Sequence, residues 1–394
     1  DTDRAAGPRA PPPLSVVGTD LTTAANRIPA ARYAGSVADR SRIGVLVTGG
    51  TVGSRSEPLS GREKLVRLSE SDRQLDVFSG PNVTAVLEKA GISPVLRQPV
   101  NMLSENMTPE HWVIMGREIE RLIEEEDPDG ILVLHGTDTM SFTSTALSFM
   151  LAGLKVPVVL TGSNRPPNEP DTDADTNIAD ALIALQHLSP GVYLSFAGRP
   201  NAKSRVHDGV SVRKARGSGP AFISAGRVHV AEVSWGTFSW TLKSRANPDE
   251  VTEGPDSSRI AADDRVMRID LHPGINLESM ADMLIRDGFR GAVMTLYPAL
   301  TGPFEPERSS VPRFAHRLAG HGIVLALTMN AQPVGVQNSY ESKLLLEETG
   351  AVLLPVIPEL ALVKLMWALG WSSDPDEVRQ VLAEEICNEF GGRK

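Results

Sequence analysis

Two short stretches place hydroxyls where they could attack an acyl group. Residues 135–140 read HGTDTM, which sets the Thr137 hydroxyl beside the Asp138 carboxylate. A hydroxyl is a weak nucleophile until a neighbour lowers its pKa or takes its proton, and a lysine fills that role in Ser–Lys hydrolases. Lys214, in VSVRKARGSG, is one candidate, but Lys203 and Lys243 are equally open on sequence alone. The plainer readings are that Asp138 or a neighbouring threonine caps a following helix, and that a lysine in an RKxR run is a solvated surface charge. Residues 47–54 read VTGGTVGS. They lack both the Walker lysine and the GxGxxG spacing of nucleotide loops. A glycine turn joining strand to helix is one alternative. The other is a nucleophile turn, in which Gly49 and Gly50 admit a ligand close to the backbone and aim Thr51 at it, with nearby N–H groups to hold an oxyanion.

The elements around these stretches alternate. IGVLV, SPVLR, ILVL, VPVVL and VYLSF read as buried strands, separated by helices at about 81–91, 109–126, 143–153 and 176–187. Thr108 is a suitable N-cap, Pro109 suits the first helical position, and Trp112, Met115, Ile119 and Leu122 share one face. Continuous apolar strands between helices predict an α/β fold with a doubly wound parallel sheet. Ligands of such sheets bind beyond the carboxyl ends of the strands, and TGGT, NMLSEN, HGTDT and TGSNR all fall at such ends.

Residues 1–40, with GPRAPPPLS, read as a proline- and alanine-rich arm, 41–241 as the larger N-terminal domain and 242–264 as a polar linker. Residues 265–394 read as a smaller C-terminal α/β domain. Its strands are expected at about 265–271, 291–297, 323–329 and 351–356, and its helices at about 278–287, 311–319, 340–349, 358–369 and 374–388.

TGGT paired with HGTDTM resembles the bacterial-type L-asparaginases, amidohydrolases that cleave the side-chain amide of Asn or Gln. NMLSENMTPEHW, VSVRK and PVIPELALVKLMWALG resemble, within that family, the asparaginase-like D subunit of archaeal glutamyl-tRNA(Gln) amidotransferases. The likeness covers about residues 42–372. It implies an asparaginase-like fold with Thr51 as the primary nucleophile, and with Thr137, Asp138 and Lys214 as a second catalytic group. Ser104 and Glu105 would hold the α-carboxylate and α-amino ends of the substrate, with Gly50 and Gly136 lining the same pocket. The implied reaction passes through an acyl-enzyme and uses no metal or organic cofactor. The implied partners are a small amide substrate, further copies in a homo-oligomer and, from the likeness to the tRNA-linked protein, an amidotransferase.

Three features depart from that pattern. The family carries a tyrosine in the loop after TGGT, whereas GSRSEPLSGREKLVRLSESD has none; Tyr33 from the arm is one substitute. A Gly-Asn motif of the second domain is replaced by MTLYPALTG. The tRNA-linked protein has an extra N-terminal domain that residues 1–40 are too short to form.

A net charge of −10 disfavours unassisted nucleic-acid binding. The single cysteine, Cys387, excludes an intrachain disulfide framework and fits a reducing compartment, and no apolar run is long enough to span a membrane. Cytoplasmic residence is the expectation.

Overall fold

The computed structural model describes residues 41–58, 64–69, 74–215, 220–241, 256–329 and 341–391. The expected arm, most of the expected linker, Tyr33 and Lys243 lie outside them.

In chain order, β1 (Arg42–Val47) leads into a hairpin of β2 (Ser54–Pro58) and β3 (Lys64–Leu68), then α1 (Pro81–Lys89) and β4 (Ser93–Arg97). Next come α2 (Pro109–Glu126), β5 (Gly130–Leu134), α3 (Met140–Met150), β6 (Pro157–Thr161), α4 (Ala174–Leu185) and β7 (Gly191–Phe196). The chain then changes character. Strands β8 (Ser204–Asp208), β9 (Val212–Lys214), β10 (Phe222–Ser224), β11 (Ala231–Ser234) and β12 (Thr237–Trp240) follow, with no helix longer than a single 3-10 turn between them among the described residues.

Eight of these strands form one sheet in the order β12-β11-β8-β7-β6-β5-β1-β4. The half from β4 to β7 is parallel, and its central strand β5 is buried along its whole length. β7, β8, β11 and β12 pair antiparallel, an extension that the helix–strand alternation did not predict. β9 and β10 stand apart as a two-stranded ribbon.

The second unit is a four-stranded parallel sheet, β13 (Val266–Asp270), β14 (Gly291–Leu296), β15 (Val324–Met329) and β16 (Val352–Leu353). It carries α5 (Leu277–Arg286), α6 (Val311–Ala319), α7 (Glu341–Glu347), α8 (Pro358–Trp371) and α9 (Pro375–Ala383). β16 is shorter than the expected 351–356: Leu354 N–H still donates to the Leu327 carbonyl of β15 at 2.8 Å, but Val356 N–H turns back to the Leu354 carbonyl at 2.8 Å and the ladder stops. The last helix also stops short of 388. The Lys364 ammonium draws the Leu382 and Glu384 carbonyls toward itself, at 2.9 and 2.5 Å, and the helix ends there.

One apolar core runs through both units. Phe149 of α3 stacks on Trp367 of α8 with ring centroids 5.2 Å apart, so these two helices join the large sheet to the small one. Residues 256–264 lie along α8. Ile260 is buried, Trp367 donates its indole N–H to the Arg259 carbonyl at 2.9 Å, and Gly370 leaves room for the backbone of Ala262.

Candidate active site

The TGGT turn is built by glycine. Gly49 and Gly50 have φ of 94° and 70°, a region that side chains disfavour. A Cβ on Gly49 would press into the backbone of Met102, and one on Gly50 would overlap Gly136. The turn is fixed on both sides. Thr48 donates its N–H and its hydroxyl to the Leu134 carbonyl, at 3.0 and 2.8 Å, and Gly50 N–H donates to the Met102 carbonyl at 2.8 Å. Thr51, partly exposed, opens a 3-10 turn over Thr51–Gly53, and Ser54 closes it by donating to the Gly50 carbonyl at 2.6 Å. Thr51 is thereby held beside the end of β5 through the contact between Gly50 and Gly136.

At that strand end the chain delivers Thr137 and Asp138. Lys214 Nζ lies 2.8 Å from Thr137 Oγ1 and 2.6 Å from Asp138 Oδ1. The Thr137 side chain is buried, while Asp138 is well exposed. Neither Asp138 nor Thr139 gives α3 a side-chain cap. The Asp138 carboxylate is engaged by the lysine, and the Thr139 hydroxyl donates to the Ser104 carbonyl at 2.8 Å. Lys203, the sequence alternative, is paired with Glu232 at 2.7 Å instead.

Ser104 joins the same cluster. Its Oγ accepts from Asp138 N–H at 3.3 Å, and a Cβ on Gly136 would overlap it, so only glycine fits there. Glu105, next in the same turn, is exposed. Thr51, Thr137, Asp138, Lys214, Gly50, Gly136 and Ser104 are therefore assembled at the carboxyl ends of β1, β4 and β5, with Glu105 at their edge. The TGSNR segment sits one strand further along. Its backbone is tied down by Asp173, whose carboxylate accepts from Asn164 and Arg165 N–H at 2.9 and 3.1 Å. Beside it an open cleft of about 560 Å³ is lined by Asn164, Arg165, Asp171, Asp173 and Arg199.

Four contributors had no clear sequence signal. His135 is fully buried, and burial pushes its pKa down to about 4. Its Nδ1 lies 2.7 Å from the Gly136 carbonyl, so Nδ1 carries the proton and Nε2 accepts from the Thr143 hydroxyl at 3.0 Å. A neutral histidine thus braces the backbone that presents Thr137. Asn168 clasps Ser56 of the β2–β3 hairpin through two backbone hydrogen bonds, each 3.0 Å. Lys64 of the same hairpin pairs with Glu169 at 3.5 Å. Arg213, beside Lys214, pairs with Glu359 at 3.4 Å. Only an amide side chain can donate and accept in the Asn168 manner, but its partner is 112 residues away in sequence.

The family model for the N-terminal part of asparaginases matches residues 42–245. The chain belongs to the asparaginase family. It is 31% identical over 362 residues to the D subunit of glutamyl-tRNA(Gln) amidotransferase from Metallosphaera sedula, covering 89% of this chain and 77% of that one. The corresponding protein of Pyrococcus abyssi is 30% identical over 353 residues, covering 88% and 76%. Among solved structures, the thermostable L-asparaginase from Thermococcus kodakarensis superposes with a TM-score of 0.73 at 29% identity, covering 88% of this chain and 98% of that one. L-asparaginase I from Vibrio cholerae shares the fold, with a TM-score of 0.70 at 23% identity over 89% of this chain and 99% of that one.

Within this asparaginase-family chain, two of the four tyrosines fall among the described residues. Tyr193 is buried with its hydroxyl on the Ser189 carbonyl, and Tyr297 lies in the turn after β14. Among the described residues no group of three or more His, Cys, Asp or Glu side chains is placed to hold a metal ion. No helix among them is long and apolar enough to cross a membrane.

Proposed function

We propose that the protein is an asparaginase-type amidohydrolase that cleaves a side-chain amide of Asn, Gln or a related compound. The observation that carries this reading is Lys214 Nζ bonded at once to Thr137 and Asp138, 2.8 and 2.6 Å away, beside the glycine turn that bears Thr51. Thr51 Oγ1 attacks the amide carbon, forming a C–O bond. The C–N bond then breaks, and the nitrogen leaves as ammonia or an amine carrying the proton that the hydroxyl gave up. Water attacks the resulting ester, the bond to Thr51 breaks, and Thr51 regains a proton as the acid departs. Lys214 stabilises negative charge on Thr137 Oγ1, so that Thr137 can accept a proton during these transfers. Asp138 holds the lysine in line. Thr51→Ala tests the reading, with the expectation that amide hydrolysis is lost while the fold is retained.

The similarity to the amidotransferase D subunit over 89% of the chain favours a second reading, a glutaminase-like protein that passes ammonia to a partner enzyme. Such a protein would turn over slowly alone and faster with its partner. High turnover by the purified chain argues against it.

A further inference from the structure

We propose that Glu359 is a positioning residue that holds Lys214 on Thr137 and Asp138, acting through Arg213. The inference rests on the reading that Lys214 serves a hydrolytic site.

Lys214 ends a ribbon of only three paired residues, outside the eight-stranded sheet. Several bonds steady that ribbon from within the N-terminal unit, among them His207 Nδ1 to Ser224 Oγ at 2.8 Å and Ala225 N–H to the Ser211 carbonyl at 2.7 Å. Ser144 and Thr145 of α3 donate to the Gly209 and Val210 carbonyls, at 2.9 and 3.2 Å, just before the ribbon starts. Ala215 N–H donates to the Ala221 carbonyl at 2.8 Å beyond Lys214. These bonds act on backbone groups or on Ser224, which shares the Lys214 face of the ribbon. Successive residues of a strand point to opposite faces, so Arg213 reaches away from Asp138.

There Arg213 Nη2 meets Glu359 Oε1 at 3.4 Å, in the first turn of α8. The same oxygen receives Arg268 Nη1 from β13 at 3.5 Å. One carboxylate of the second unit thus gathers an arginine from each unit. The arrangement closes a loop of contacts. α3 is preceded by Thr137 and Asp138, α3 stacks on α8, α8 presents Glu359, and Glu359 holds the neighbour of Lys214. It also gives each of two adjacent cations its own carboxylate, leaving Asp138 to Lys214.

Arg213 is about one-third exposed, so the pair contributes little to stability by itself. Its effect is geometric, and misplacing a catalytic group by about 1 Å can cost roughly a hundredfold in rate.

The test compares wild type with E359Q, R213Q and the double variant. R213Q serves if E359Q fails to fold. Two readouts are taken. One is kcat and KM for the best amide substrate. The other is the rate at which acetic anhydride labels Lys214, followed by peptide mass spectrometry, which needs no turnover. Each single variant is expected to lower kcat roughly tenfold to a hundredfold with KM little changed. Each is also expected to alter Lys214 labelling several-fold. The double variant should lose no more than E359Q alone, because Arg213 acts on Lys214 only through its contact with Glu359. Unchanged Lys214 labelling in both singles overturns the inference. So does a double variant whose loss is the product of the two. If no amide is hydrolysed by wild type but labelling shifts as described, the positioning role stands and the hydrolytic reading falls.

Discussion

Lys214 is bonded to a hydroxyl and a carboxylate that are adjacent in sequence, from a position 77 residues beyond the first of them. That spacing explains what could and could not be read beforehand. Thr137 and Asp138 stand at the end of an aliphatic run, which marks a strand end directly. Nothing local separates Lys214 from Lys203; only the fold shows that Lys203 is engaged by Glu232. Lys214→Met should lower kcat roughly 10²- to 10⁴-fold with the midpoint of urea unfolding little altered. Lys214→Arg should not restore activity, because a planar guanidinium fork is larger than the compact ammonium that reaches both Thr137 Oγ1 and Asp138 Oδ1 from one nitrogen. Steady-state kinetics on both variants checks this.

A second residue-scale consequence concerns pH. Asp180 of α4 is buried against the Ser204 hydroxyl, and burial raises its pKa from 3.8 to about 7. The folded state therefore favours the protonated acid more than the unfolded chain does. Stability is unaffected below pH 4, falls as pH rises from about 4 to 7, and carries the full cost above that. Asp180→Asn keeps an acceptor for Ser204 and removes the charge. Urea unfolding at pH 5 and pH 8 should show the variant gaining about 2 kcal/mol more at the higher pH. An equal change at both pH values would contradict the assignment.

At the scale of elements, the parallel half of the large sheet and the helices around it were legible because buried parallel strands are uninterrupted apolar runs. The antiparallel half was not. β11 and β12 are four residues each, β9 and β10 three, with mixed burial patterns that resemble loops. Their pairing is set by contacts distant in sequence rather than by their own composition. The β2–β3 hairpin after Thr51 illustrates the same point. SRSEP and KLVRL carry no convincing alternation, and the hairpin is docked by Asn168 and Glu169 from the loop after β6. Asn168→Ala should release it. Hydrogen exchange should show faster exchange of the Ser56 amide, which now donates to Asn168 Oδ1, with exchange in β5 unchanged.

Across the whole molecule, the C-terminal tail closes onto α8. Lys364 and Glu389 form an ion pair 2.7 Å long with both side chains fully buried. Glu389 also accepts from the Ile386 and Cys387 amides, at 3.0 and 2.8 Å, and Lys364 faces the Phe390 ring at 4.5 Å. Arg227, in the turn before β11, reaches the Asn388 carbonyl and so ties the tail back to the large sheet. Lys364→Met leaves a buried carboxylate without its cation and should cost about 3–5 kcal/mol by urea unfolding. The sequence displayed Lys364 within an apolar helix, but its partner lies in a segment that reads as a helical end.

Attack by Thr51 on an amide is the central step of the proposed reaction. The most direct measurement is amine or ammonia release by purified protein from Asn, Gln and a small panel of γ-glutamyl and β-aspartyl amides, with Thr51→Ala alongside. Release is expected from at least one member and should disappear in Thr51→Ala. Equal release by both proteins, or none from any member even with a partner amidotransferase added, would contradict that step.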